Sequence, residues 1–205
     1  VSVIPSILLI PFLPALFKRV DKIVVARLAC IVFVIAGIII NILGPNFFIQ
    51  NLSVFYLLSL IQATSYVMTM FSGSQLMPDL AELVKYKTEK DIAGVVVATY
   101  SFVTKLVNSL VTSVSLIILG IYGWASVEAN SFDELAQLNA QGIGLQTDYA
   151  LKGLWNVSYL FPIIGFALAA IAFSFVKVKR KDVAIYMKVN SGEMTKEEAE
   201  KLLNK

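Results

Sequence analysis

Residues 95–123, VVVATYSFVTKLVNSLVTSVSLIILGIYG, are apolar or small almost throughout, yet Lys105 stands near the middle of the run. A bilayer core takes about 20 mostly apolar residues per helix, so the stretch is long enough to cross one. Four other segments reach or approach the same length. With the quoted run they lie at 1–17, 23–43, 52–76, 93–122 and 153–176. The chain is 58% hydrophobic and 15% charged, against about 45–50% and about 25% in a soluble domain. The fold class is therefore all-α, a multi-pass transmembrane helical bundle, with 177–205 as a cytoplasmic tail.

The charges give the orientation. Lys18, Arg19, Lys22 and Arg27, then Lys85, Lys87 and Lys90, then eight basic residues from Lys177 onward fall on one side. The connection 124–152 on the other side is mainly acidic, with Glu128, Asp133, Glu134 and Asp148. The positive-inside rule makes the basic side cytoplasmic, which puts the C-terminus in the cytoplasm and the protein in the cell membrane. Five crossings then start outside. A chain that opens with Val1 directly in apolar sequence reads as lacking an upstream part.

Two capping patterns mark short helices outside the spans. Ser131 precedes Glu134 by three residues in the outer connection, and Thr195 precedes Glu198 by three in the tail. The cluster KVKRK at 177–181 has two readings, attraction of anionic lipid or simply the inner end of the last span.

Around the quoted helix, steps of about 100° per residue place Lys105, Asn108, Thr112 and Ser115 within about 40° of Ser101. Val103, Leu106, Leu110, Val114 and Ile117 cover the opposite side. In the preceding segment Ser59, Gln62, Tyr66, Thr69 and Gly73 fall within about 80° of one another. Two neighbouring helices thus each carry a polar seam, read here as lining a water-filled cavity. For any single Ser or Thr the alternative is back-bonding or helix–helix contact.

A Lys near a helix centre costs about 2.5–3.5 kcal/mol on insertion scales. Snorkelling is one reading, because Lys105 lies about 10 Å in from Ala98 at 1.5 Å per residue. None of the five segments contains Asp or Glu, so the chain offers that ammonium no buried counter-ion within them. Its partner is expected from water, cargo or other helices.

Other chemistry finds little support. There is no His, no metal-ligand spacing and no Gly-x-Ser-x-Gly, so no enzyme, cofactor or metal site is expected, and nothing points to nucleic acid. The one cysteine, Cys30, lies inside the second segment and is expected to pack. Pro5, Pro11, Pro14 and Pro162 predict kinks. Gly165 and Ala169 form a small-xxx-small pair suited to close helix contact.

The order MPDLAELVKYKTEKDIAG, ATYSFVTKLVNSL, LGIYGW and LKGLWNVSYLFPIIGF, with the short basic loop KRVDK, resembles the glycoside-pentoside-hexuronide:cation symporters. These are the melibiose-permease relatives within the major facilitator superfamily. The resemblance covers the whole chain as helices VIII to XII, the C-terminal bundle. Leu83, Lys85 and Asp91 depart from the residues usual in that family.

The resemblance implies Na⁺- or H⁺-coupled symport of a sugar or glycoside by alternating access against an N-terminal bundle of the same transporter. It makes Lys105 the family's membrane lysine and Asp79, Glu82, Lys87 and Thr88 a gating loop. Substrate and cation would meet Lys105, Asn108, Gln62, Tyr66, Thr69, Ser101 and Thr112. A lysolipid or other amphiphile as cargo, and a non-transporting scaffold or sensor, are the alternatives.

Overall fold

A computed structural model describes residues 11–142 and 146–204. Among them every regular element is helical: α1 Leu13–Phe17, α2 Lys22–Gln50, α3 Leu52–Thr88, α4 Ala93–Ile121, α5 Phe132–Ala140, α6 Asp148–Trp155, α7 Phe161–Phe175, α8 Arg180–Asn190 and α9 Lys196–Leu203. A π-helical turn, Asn156–Leu160, joins α6 to α7. Among the described residues four stretches are long and apolar enough to span a membrane: α2, α3, α4 and the continuous helix Asp148–Phe175. The expected first span, 1–17, lies mostly outside the described residues. The chain forms two compact units, one comprising residues up to Val103 and from Ile163 onward, the other Thr104–Pro162.

In the first unit α2 and α3 make an antiparallel hairpin, joined by Asn51 alone. Ala26, Cys30, Phe33, Gly37 and Ile40 are buried on α2, and Gln62, Ser65, Thr69, Ser72 and Leu76 on α3. Both sets step by alternating threes and fours, the spacing that keeps one seam against a partner helix. Small residues let the backbones approach, which is how helices associate where no water drives them together. Gly37 shows how close that approach is: a Cβ there would stand 2.5 Å from Ile163 Cγ1 and 2.9 Å from Gln62 Nε2. Farther along the hairpin's neighbours, Phe33 stacks on Phe166 of α7 with centroids 3.8 Å apart.

Several boundaries differ from those expected, each for a local reason. The second span, expected at 23–43, continues to Gln50 across a break at Gly44. Gly44 takes φ 72°, ψ 167°, which glycine adopts without a Cβ clash, and Pro45 starts the next turn with its φ already set. The third, expected at 52–76, runs to Thr88 with Pro78 inside it. At 1.5 Å per residue α3 is about 55 Å long, far more than a hydrocarbon core of about 30 Å, so its last turns project beyond the bilayer. They end where Glu89 turns left-handed, at φ 59°. The last span starts at Asp148 rather than 153. Its π-helical turn lies just before Pro162, whose missing N–H breaks the regular ladder.

The tail 177–205 carries two helices. α8 lies along α3, and Tyr186 meets Tyr86 with ring centroids 4.8 Å apart. α9 begins with a complete capping box, in which Thr195 Oγ1 accepts from Glu198 N–H and Glu198 accepts from Thr195 N–H.

In the second unit Ser131 caps α5 by accepting from Glu134 N–H at 3.1 Å. Gln146 clasps the chain at Ala125 from both sides, accepting from its N–H at 3.0 Å and donating to its carbonyl at 2.8 Å. Tyr122 lies over Gly153, where any Cβ would fall 2.4 Å from the ring, and its hydroxyl accepts from Asn156 Nδ2 at 3.1 Å.

Candidate functional site

The polar face of α4 is the first candidate. Ser101, Lys105, Asn108 and Thr112 are all exposed, and α4 has no buried residue along its length. Two of the hydroxyls are turned inward on their own helix: Thr112 Oγ1 donates to Asn108 O at 2.9 Å and Ser109 Oγ to Lys105 O at 3.0 Å. That leaves the Lys105 ammonium, the Asn108 amide and the Ser101 and Ser115 hydroxyls as the groups on this face with no bond among the described residues. They lie in a helix that qualifies as a membrane span.

The seam on α3 divides. Gln62 and Thr69 are buried at 8% and 7% exposure, whereas Tyr66 is 47% exposed. Thr69 Oγ1 donates to Ser65 O at 2.9 Å and lies 3.6 Å from Cys30 Sγ on α2, and Gln62 abuts Gly37. In this structure Gln62 and Thr69 lie at the α2–α3 contact, and Thr69 also lines an apolar recess with Gly73 and Tyr100. The physical reason is register. Angular alignment marks a shared face, but the α2 small-residue stripe claims that face. Tyr66 sits one step around the helix, near Phe166 with centroids 6.2 Å apart.

The second candidate is the end of the first unit where α2 begins and α3 projects. Asp79, Glu82, Lys87 and Thr88, expected in a loop, are on α3, where Pro78 lies inside the helix and does not end it. Asp79 accepts from Lys22 Nζ at 2.9 and 2.8 Å, and Lys22 also donates to Gln75 O at 3.0 Å. Glu82 accepts from Asn190 Nδ2 of α8, at 2.7 Å on Oε2 and 3.0 Å on its carbonyl. Lys87 is exposed, and Thr88 Oγ1 donates to Val84 O at 2.8 Å. Asp79 and Glu82 are thus both engaged, the former by α2 and the latter by the tail.

Sequence reasoning missed their partners. Lys22, Asn190 and the pair Lys196–Glu89 complete this network, along with Arg180, whose N–H donates to Asp21 Oδ1 at 3.1 Å. The separations of 57 and 108 residues lie beyond any helical period. The Lys196 interaction holds the Glu89 carboxyl below its ordinary value, through the hydrogen bond first and the charge second. Burial, then Asp182 and Tyr86, push the Tyr186 phenol up.

Residues 1–180 match the family model described as MFS/sugar transport protein. The chain belongs to that family. It is accordingly a membrane protein of the major facilitator transporters, and its helical bundle agrees with that fold. No curated protein and no solved structure gives a significant match.

Proposed function

We propose that this facilitator chain supplies the C-terminal half of a melibiose-permease-like symporter, carrying a sugar or glycoside with Na⁺ or H⁺. The observation that carries this reading is Lys105: an ammonium without a partner among the described residues, beside an open Asn108 amide, in a membrane span. An uncompensated charge is costly there, so it persists where transport uses it. Lys105 balances charge against carboxylates of a partner bundle as cation and cargo enter, while Asn108, one turn along α4, offers hydrogen bonds to hydroxyls. The basic end, with Lys22–Asp79 and Glu82–Asn190, is the cytoplasmic gate of a plasma-membrane protein.

The test is uptake of a radiolabelled glycoside into proteoliposomes of the full-length transporter, driven by a Na⁺ or a proton gradient. Lys105→Gln should abolish gradient-driven uptake while leaving the protein folded. Unchanged coupled uptake in that variant removes the role, and inhibition of transport by lysolipid but not by sugars would assign an amphiphile cargo instead.

A further inference from the structure

At the basic end of the first unit the beginning of α2 and the end of α7 enclose a recess of about 400 Å³. Its rim is cationic: Arg27 from α2, with Lys177 and Lys179 from the segment leaving α7. Its floor is apolar, with Val24 and Phe173.

Arg27 is the informative residue. It stands on the sixth position of a membrane-spanning helix, about 8 Å in from the helix start, and is half-buried. Its guanidinium stays charged at any physiological pH, yet it makes no ion pair or hydrogen bond among the described residues, and neither do the side chains of Lys177 and Lys179. Two acids share the recess, Asp21 and Asp182, and both have work elsewhere. Asp21 accepts from Arg180 N–H, and Asp182 occupies the first turn of α8, where a carboxylate complements the helix dipole. The lining thus holds three cations without an ion pair against two carboxylates, a net charge of +1.

A soluble anion would have no use for the floor. Next to its lining residues along the chain, Leu28 and Phe175 are 53% and 77% exposed on helices long and apolar enough to span a membrane. Unpaired cations, an apolar floor and exposed apolar neighbours on spanning helices together match one amphiphile, a phosphate carrying fatty chains. We propose that Arg27, Lys177 and Lys179 bind the phosphate of a single anionic phospholipid, with an acyl chain lying along Val24 and Phe173. The basic cluster at 177–181 is then half of a built site rather than a diffuse flank.

The experiment uses the full-length transporter in phosphatidylcholine nanodiscs titrated with phosphatidylglycerol, with retained lipids counted by native mass spectrometry. One phosphatidylglycerol should be held per chain in preference to phosphatidylcholine. At about fivefold per interfacial charge, Arg27→Gln and the surface double variant Lys177→Gln/Lys179→Gln should each weaken it by at least that factor. Lys181→Gln, adjacent in sequence but outside the recess, should weaken it clearly less than Arg27→Gln does. Val24→Trp keeps every charge and fills the floor, and should also release the lipid. Equal losses in Lys181→Gln and Arg27→Gln, or full retention in Val24→Trp, would overturn the site. Displacement by millimolar inorganic phosphate would reassign it to a free anion and overturn the lipid.

Discussion

Lys22 Nζ reaches both carboxylate oxygens of Asp79, at 2.9 and 2.8 Å, and so ties the first turn of α2 to the turn of α3 that follows Pro78. The same ammonium satisfies the Gln75 carbonyl beside the proline. Side-chain exposures of 22% and 16% place the pair between a surface bridge and a buried one. Asp79→Asn should therefore cost about 1–2 kcal/mol. A double-mutant cycle with Lys22→Gln, read by thermal unfolding in detergent, should return a favourable coupling; additive losses would show that the pair contributes nothing of its own.

Gly37 is a packing determinant that needs no conformational argument. Because a Cβ there meets Ile163 and Gln62 within 3 Å, Gly37→Ala should destabilise by about 1–3 kcal/mol through overpacking. Ile163→Ala should relieve part of that loss. A Gly37→Ala protein as stable as wild type would mean that α2 and α7 are less closely packed than described.

Cys30 is fully buried against Thr69 and is the chain's only cysteine. A maleimide dye should therefore leave the folded protein unlabelled and react as the α2–α3 hairpin opens, giving a single cooperative transition on heating. Rapid labelling at room temperature contradicts the packing of that hairpin.

The tail should be acid-labile. Hydrogen bonds from Thr195, backbone first and then side chain, hold the Glu198 carboxyl below its ordinary value, and Lys196 does the same for Glu89. A carboxyl depressed in the folded state contributes stability at neutral pH, and that contribution is lost as pH falls through the folded value. Amide exchange over 195–203, extrapolated to a common intrinsic rate, should rise as pH drops below the usual glutamate range. Thr195→Ala should show the higher exchange already at neutral pH.

How much of this was legible in one dimension depended on range. Hydropathy alone exposed the four spans among the described residues, and the Ser131 and Thr195 patterns announced α5 and α9, because a cap is a contact over three residues. The family resemblance implied a loop at Asp79, Glu82, Lys87 and Thr88; here α3 runs on through them, because the helix has left the bilayer and water tolerates those charges on its surface. Gln62 and Thr69 were correctly aligned with each other, but an angle on a wheel does not say which neighbour occupies it, and Gly37 and Cys30 decided that. The bonds of Asp79 and Glu82 join residues that no period connects, so only the folded chain displays them.

The length of α3 has a mechanical consequence. Because one unbroken rod runs from the membrane interior to the turn at Glu89, and α8 rides on its outer third, any rocking of the embedded portion becomes a larger sideways sweep at the tip. Tail and span then move as a lever with its load, and what happens at the far face of the bilayer is transmitted to the last residues of the chain without a separate relay.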